Sequence, residues 1–316
     1  MLPTKPYTSV FALDKEVEDG ETALCFLAAH IVGDYSAEEW EELAYYTAKS
    51  VDNTIDLSVY PFKQVEYTAK NRRSIGVGLT GLGSWMAKHG LKYDTVEGRN
   101  AIHRVAELHS FYLHKASVRL AKERGKCGWY ERTKYADGWL PVDTYKKEVD
   151  NHHDQALLCD WEGLRKEIAQ YGMRFSVLEA FMPCESSSLL NNGTNSILPA
   201  RRKDISKQSR KGSVYWMVPG AEEYLDNYQW AWDIDSMDLA KVYGIVQKFC
   251  GQGISADFYH DFTQKPAVSA NEMLKLMLLS AKLGMKSWYY LNFKTSKEAG
   301  TSTQSIDESG CESCKM

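Results

Sequence analysis

The sequence predicts an α/β fold, and more specifically part of an α/β barrel. Short apolar segments typical of buried strands alternate along the chain with amphipathic segments long enough to form helices. Strands that are separated by helices of about ten residues or more favour parallel β-α-β units. No repeat of fixed period is present in the sequence, which argues against a solenoid or a propeller.

The first predicted unit runs from a capped helix through a strand into a second helix. Ser36-x-x-Glu39 forms a capping box, and the apolar residues that follow share one helical face as far as about Asp56. Residues 72–79 predict a short buried strand whose glycines permit close approach of a neighbouring backbone. The helix after this strand is expected to stop at Gly90.

The middle of the chain continues the alternation of helices and strands. A long helix is predicted over residues 96–124. Asp160 is a favourable N-cap for a helix over 161–171. The apolar segment 175–182 predicts another strand, whereas the basic residues within 201–211 predict a loop.

The last predicted unit is again a capped helix followed by a strand. Ser269-x-x-Glu272 is a second capping box, and the helix that it opens is expected to reach Lys282. Gly284 provides the stop signal for this helix. Residues 287–293 then predict a strand that is rich in aromatic side chains.

Composition and charge indicate a globular protein without a nucleic-acid partner. The 316 residues are 44% apolar, which is enough for one large core or two modest ones. The formal net charge is -4, and the two signs are interspersed along the chain. This distribution gives no sustained basic surface, so we expect no binding of DNA or RNA.

Neither an export signal nor a membrane segment is predicted. The first residues have no apolar signal core, and the most apolar later run, 273–285, is interrupted by Lys275 and Lys282. We therefore expect a cytoplasmic location. In that compartment the seven cysteines should be reduced thiols, and any disulfide should be catalytic or transient.

The end of the chain carries a pair of cysteines, Cys311 and Cys314, on a polar segment. Between Ala299 and Gly310 the only large aliphatic side chain is Ile306, so the segment is predicted to be mobile. A mobile dithiol is suited to thiol-disulfide exchange. The alternative is half of a zinc site, which would need two further ligands; no second C-x-x-C and no His pair at finger spacing is present.

Collinear motifs spread over nearly the whole chain carry a family resemblance. They lie at residues 2–6, 20–25, 72–78, 140–146, 182–188 with Asn195, 286–292, and the terminal cysteines. As a set they resemble the carboxyl-terminal half of the large, catalytic (alpha) subunit of class I ribonucleotide reductase. In the members best known for this pattern four residues separate the last two cysteines, whereas here two do.

The resemblance implies a fold and a domain organisation. It makes residues 1–294 the carboxyl-terminal portion of a ten-stranded α/β barrel, and residues 295–316 a flexible redox tail that carries Cys311 and Cys314. The loop with the radical-forming cysteine would lie upstream of Leu2. We therefore expect one part of a split large subunit, encoded by a phage or another interrupted gene, which an upstream fragment completes in the host cytoplasm.

The resemblance also implies an activity and its partners. The expected reaction is reduction of ribonucleoside diphosphates to deoxyribonucleoside diphosphates by thiyl-radical chemistry. No cofactor or metal is expected on this chain itself, because the radical would come from the metal and tyrosyl site of a small subunit. Thioredoxin or glutaredoxin would be the reductant, and neither nucleic acid nor membrane would be a partner.

Five residues are implied to be catalytic. Cys25 would supply one reducing sulfur, although a free cysteine is most often a small buried hydrophobic residue. Tyr289 and Tyr290 would relay the radical, although they also suit an aromatic strand. A regular strand points successive side chains to opposite faces, so a stacked pair requires the backbone to depart from ideal pleating. Cys311 and Cys314 would reduce the core cysteines again.

A segment that opens a helix is implied to bind the substrate diphosphate. Free backbone N–H groups and hydroxyls at a helix start suit an anion, but a Ser-rich helix cap explains the same residues without a ligand. Cys184 stands where the family usually has Ser or Thr. The implied substrate-binding residues are Thr4, Pro183, Cys184, Glu185, Ser186 and Ser187.

Two functions from other classes remain open at this stage. The first is a non-catalytic interaction module that binds the small subunit, which should tolerate loss of Cys25 and of the tail thiols. The second is a thiol or zinc protein that uses only the terminal C-x-x-C, with the rest of the chain as scaffold.

Overall fold

The computed structural model describes residues 21–209, 212–295 and 303–304, and their strands form three small sheets. Two sheets are parallel pairs, β1-β2 and β5-β6, and the third has the order β4-β3-β7. In chain order the strands are β1 (Phe26–Ile31), β2 (Ile75–Thr80), β3 (Asp204–Ser209), β4 (Gly212–Met217), β5 (Phe258–Asp261), β6 (Leu291–Lys294) and β7 (Thr303–Gln304).

Helices lie between the strands, as the sequence predicts. The long α4 packs against α1, α6 and α8, and so forms the centre of the helical layer. In chain order the described helices are α1 (Ala37–Leu57), α2 (Lys63–Arg72), α3 (Leu82–Lys88), α4 (Val96–Arg124), α5 (Pro141–Thr144), α6 (Trp161–Tyr171), α7 (Glu185–Leu190), α8 (Ser236–Lys248) and α9 (Ala270–Lys282).

The predicted helix boundaries are confirmed where capping signals are strong. The side chains of Ser36 and Ser269 each accept a hydrogen bond from the backbone N–H three residues on, and the glutamate at that position accepts one from the backbone N–H of the cap residue. The Asp160 carboxylate accepts from Gly163 N at the start of α6. Gly284 follows α9 with φ of +77°, which favours glycine.

One wall of the fold is continuous across both parallel pairs. β1 pairs with β2 from Phe26↔Ile75 to Ile31↔Thr80. On its other side β2 is hydrogen-bonded to the extended segment 175–182. Within that segment, Phe181 O accepts a hydrogen bond from Ser255 N at 2.9 Å. The chain that follows Ser255 becomes β5, which pairs with β6. The wall thus runs from β1 to β6.

The predicted strand over 175–182 is wrong as a regular strand. It makes a single bridge, between Val77 and Glu179. Ile75 N donates to Val177 O, and Val77 N donates to Leu178 O. The two donors are two residues apart on β2, whereas the two acceptors are one residue apart on the neighbouring segment. In regular parallel pairing these two spacings along the chain are equal. This local irregularity explains why the segment follows β2 without forming a ladder.

Within the basic segment, residues 204–209 form strand β3 and not the predicted loop. β3 and β4 pair antiparallel from Asp204↔Met217 to Ser209↔Gly212. The alternation of polar and apolar residues in these two strands is weak, so the sequence does not show a strand pattern there. The cluster of basic residues was therefore a poor guide to the structure. β7 pairs parallel with β3 at Ser206↔Thr303 and Lys207↔Gln304.

A buried ion cluster ties α1 to α4 and to the start of β2. The Asp52 side chain is fully buried and accepts from Arg73 Nε at 2.7 Å, Arg124 Nη1 at 2.8 Å and Arg174 Nε at 3.0 Å. Asp56 accepts from both terminal nitrogens of Arg73. The positive charges are therefore compensated by hydrogen-bonded carboxylates, as buried charges must be.

No helix among the residues that the structure describes is both long and apolar enough to cross a membrane. The architecture is that of an α/β protein with parallel strand pairs on one side and helices packed behind them. The predicted fold class is therefore confirmed.

Candidate active site

Tyr289 and Tyr290 form a close aromatic pair at the end of the wall. Their ring centroids are 4.0 Å apart with an angle of 42° between the planes, and the two phenol oxygens are 3.1 Å apart. Both residues precede β6, where the backbone is not yet pleated. This position resolves the difficulty that consecutive strand residues point to opposite faces.

The loop implied to bind a diphosphate lies beside α7. Cys184 is the N-cap residue, and its N–H donates to Asn195 Oδ1 at 2.6 Å. Its thiol is buried and lies 3.5 Å from Met182 O, so it does not face solvent. Glu185, Ser186 and Ser187 follow as exposed residues of the first turn.

The first turn of α7 has two features that suit an anion. The first amides of a helix have no acceptor inside the helix, so those of this turn are available to an external acceptor. The Ser187 hydroxyl lies 3.3 Å from Cys184 O, a contact that an incoming acceptor could replace. Backbone N–H groups and hydroxyls are therefore presented together, while Cys184 contributes no side chain.

A small cavity adjoins this loop, and one of its lining residues is an arginine, Arg201, that the sequence analysis did not assign to the site. Glu185, Ser188, Asn195 and Arg201 are among the residues that line it. Arg201 lies in the basic segment predicted to be a loop, but nothing in the sequence indicates which residues it contacts. In the fold its guanidinium pairs with Asp257 at 3.1 Å.

Cys25 lies immediately before β1, and its sulfur occupies the space left by the missing side chain of Gly76 on β2. A Cβ atom added to Gly76 would lie 2.9 Å from Cys25 Sγ and 2.8 Å from Ala180 Cβ. Only glycine therefore leaves room for the sulfur at this position. Cys25 is exposed and reduced, and it forms no disulfide with the other described cysteines.

Cys25 and the approach to the α7 loop lie on one face of β2. A Cβ atom added to Gly78 would lie 3.0 Å from Met182 Sδ, just as one on Gly76 would meet Cys25. Alternate residues of a strand face the same side, so Cys25 and Met182 share a face. Met182 is followed directly by Pro183, which opens the loop. The wall brings these candidate groups together.

The apolar surroundings of Cys25 control its reactivity. Burial of the sulfur among neighbouring side chains raises the pKa of the Cys25 thiol to about 12, although part of the residue remains accessible to solvent. At neutral pH the group is therefore a thiol and not a thiolate. A protonated thiol is the form that can give up a hydrogen atom.

We expect Cys25 to react slowly with iodoacetamide at neutral pH in spite of its exposure. The thiolate is the reacting form, so alkylation in the folded chain should be at least about tenfold slower than in the same chain unfolded in urea. Mass spectrometry of the peptide that contains Cys25 measures both rates. Equal rates in the two states would contradict the raised pKa.

Three predicted site residues, Thr4, Cys311 and Cys314, lie outside the described residues and remain predictions. Over the ranges that the structure does describe, no group of three or more His, Cys, Asp or Glu side chains is arranged to hold a metal ion. The described part of the site therefore consists of Cys25, the α7 loop and the tyrosine pair.

Comparison with known proteins decides the family. The family model described as "Ribonucleotide reductase, barrel domain" matches residues 7–291. The chain belongs to the ribonucleotide reductase barrel-domain family. The predicted resemblance and the predicted barrel fold are thus confirmed, and the wall from β1 to β6 is part of that reductase barrel.

Similar proteins are the alpha subunits of ribonucleoside-diphosphate reductases. The chain is 38% identical to that of Haemophilus influenzae over 100% of its own length and 41% of the relative. It is 38% identical to subunit alpha of reductase 1 of Escherichia coli, over 83% of this chain and 35% of that one. It is 33% identical to subunit alpha of the Enterobacteria phage T4 reductase, over 96% of this chain and 41% of the relative. The chain spans about two-fifths of the length of these relatives.

Proposed function

We propose that this chain forms part of a ribonucleoside-diphosphate reductase and contributes one side of its active site. The observation that supports this most is that Cys25 and the entrance to the α7 loop share one face of β2. A reducing thiol and an anion-binding turn on one face suit a substrate with a ribose and a diphosphate. The similar proteins are named ribonucleoside-diphosphate reductases, which agrees with this chemistry.

The proposed reaction balances with two thiols. Cys25 and a second thiol, from a part of the enzyme outside this chain's described residues, would each lose a hydrogen and join as a disulfide. The ribose would lose a hydroxyl as water and become deoxyribose. The high pKa of Cys25 keeps its sulfur protonated until this step. A thiyl radical on the second polypeptide would first activate the ribose.

Each group on the wall then has a role. The N–H groups and hydroxyls of Glu185, Ser186 and Ser187 would bind the diphosphate, together with Pro183, Cys184 and Thr4 as backbone or neighbouring positions. Tyr289 and Tyr290 would pass an electron and a proton between the small subunit and the radical cysteine. A neutral phenol has a proton to give up with its electron, so it can lose both particles together without leaving a buried charge.

The proposal includes a second polypeptide that completes the barrel. Among the described residues β1 pairs with β2 alone, and Leu27 and Ile31 on β1 are 59% and 38% exposed. An exposed strand edge with apolar side chains is a template for another strand. An upstream part of the large subunit, expressed as a separate chain from a split gene, would supply that strand and the radical cysteine.

The remaining partners follow from the same proposal. A small subunit would generate the radical from its own metal and tyrosine site, so this chain would bind no cofactor. Cys311 and Cys314 would reduce the disulfide at Cys25 and would themselves be reduced by thioredoxin or glutaredoxin. These events would take place in the cytoplasm, which is the host cytoplasm for a phage protein.

The test is reconstitution of the activity from separate chains. This chain is mixed with an upstream-fragment chain and a small-subunit chain, and deoxynucleotide is measured with thioredoxin or dithiothreitol as reductant. We expect product only in the full mixture, none with Cys25→Ser, and dependence on the reductant with Cys311→Ser. A stable complex that makes no deoxynucleotide with any reductant would favour the interaction module. Bound zinc after reducing purification would favour the thiol or zinc protein.

A further inference from the structure

The tyrosine pair is held mainly through its backbone. Tyr289 and Tyr290 are 48% and 54% exposed, so side-chain packing fixes the rings only in part. Tyr289 N donates to Ala256 O and Phe258 N donates to Tyr290 O, each at 2.9 Å. The position of the phenols therefore depends on the path of the chain just before β6.

The backbone N–H of Tyr290 is bound by a buried side chain, the carboxylate of Asp257. Asp257 Oδ1 accepts from Tyr290 N at 3.3 Å. Asp257 Oδ2 accepts from Asn292 Nδ2 at 3.2 Å and from Arg201 Nη2 at 3.1 Å. The Asp257 side chain is 3% exposed, so each of these donors is held at a fixed place in a poorly solvated environment.

This carboxylate explains why both rings lie on one side. In a regular strand, consecutive residues face opposite ways. Here the consecutive amides of Tyr289 and Tyr290 both point to the segment that contains Ala256 and Asp257. The second of these bonds exists because a side chain, and not a main-chain carbonyl, supplies the acceptor. Without it the chain could continue as regular strand and separate the rings.

Asp257 is itself rigidly placed and is linked to the α7 loop. Its own carbonyl accepts from the hydroxyl of Tyr243, a fully buried residue of α8, at 2.7 Å. Its partner Arg201 lines the cavity that Glu185 and Ser188 also line. The carboxylate therefore connects the helical layer, the cavity beside the α7 loop and the tyrosine pair.

We infer that Asp257 is a positioning residue that keeps the phenols of Tyr289 and Tyr290 in contact. This inference rests on the proposed function only for its effect on turnover, because the contact itself exists in the chain alone. Asp257 acts on the tyrosine pair through the Tyr290 amide.

The chain offers a matched control for the test. Glu107 is a fully buried carboxylate that also accepts from three N–H donors, Leu158 N, Cys159 N and Trp161 Nε1, through its Oε1 atom. Its donors hold the loop before α6 and do not include a tyrosine. Asp257→Asn and Glu107→Gln therefore make the same chemical change at two buried carboxylates. Asp257→Glu keeps the charge and moves the oxygens.

The first measurement needs no partner chain. Fluorotyrosine is incorporated in place of Tyr290, and its fluorine NMR resonance is recorded in the full-length chain and in each variant. We expect Asp257→Asn to shift or broaden the resonance, Asp257→Glu to do so less, and Glu107→Gln to leave it unchanged. An unchanged resonance in both Asp257 variants overturns the inference, as does an equal change in Glu107→Gln.

The second measurement uses the reconstituted enzyme. Asp257→Asn should lower kcat at least about tenfold while KM for the ribonucleoside diphosphate stays within about twofold, because only the geometry of radical transfer changes. Glu107→Gln should retain both parameters. Equal losses in the two variants, or a loss confined to KM, contradict a positioning role. If the parent mixture makes no product, the proposed function fails and the NMR result alone decides the inference.

Discussion

Tyr289→Phe is expected to lower turnover of the reconstituted enzyme by roughly a thousandfold or more, equivalent to about 4 kcal/mol in the barrier. The phenylalanine ring keeps the shape and the contact with Tyr290, at a centroid distance of 4.0 Å in the parent. It has no phenolic proton to lose, so electron transfer through it would leave a high-energy cation. Deoxynucleotide formation by the mixed chains measures the effect.

The control for this experiment is a second pair of adjacent tyrosines in the same chain. Tyr45 and Tyr46 on α1 have ring centroids 5.1 Å apart, and Tyr46 is 57% exposed. Tyr46→Phe makes the same change outside the proposed path and should leave turnover unaltered. If Tyr289→Phe and Tyr46→Phe have the same activity, Tyr289 does not carry the radical.

Asp52→Ala should cause the largest loss of folding stability, about 3–5 kcal/mol. The substitution removes the buried carboxylate that binds Arg73, Arg124 and Arg174. Arg73 and Arg174 then keep only the half-exposed carboxylate of Asp56 as an acidic partner. The free energy of unfolding of the full chain, obtained from urea denaturation, measures the change. A loss of this size is a large part of the stability of a typical domain.

The neighbouring Asp56 provides the comparison. It binds Arg73 at 2.8 Å, but its side chain is 47% exposed, so solvent screens the pair. Asp56→Ala should cost no more than about 1 kcal/mol. Equal losses at Asp52 and Asp56 would show that burial of the cluster is not what makes Asp52 important.

The parts of the fold that follow from the sequence are those set by local chemistry. Ser36 with Glu39 and Ser269 with Glu272 predicted helix starts that the structure contains, because a capping box satisfies the first amides of a helix from within a few residues. The α4 boundaries follow for the same reason, with Thr95 as the cap and Gly125 after the end. Distant neighbours have little influence on such signals.

The parts that do not follow depend on contacts between distant segments. The irregular path of 175–182 is decided by its pairing with β2, roughly a hundred residues earlier in the chain. The link between Arg201, Asp257 and Tyr290 joins three separate segments, and none of these residues has a local pattern that indicates it. The family resemblance indicates Tyr289 and Tyr290 as candidates, but no motif indicates which residues hold them in place.

The glycines of β2 have a consequence for how freely this sequence can change. Even the smallest side chain on Gly76 would displace Cys25, and one on Gly78 would lie 2.7 Å from Ala180 O, a main-chain atom that cannot move aside. Both positions carry no reactive group, yet they set the distance at which reactive groups approach. A library of random substitutions selected for activity should therefore be as intolerant at these two glycines as at Cys25, the residue that Gly76 accommodates.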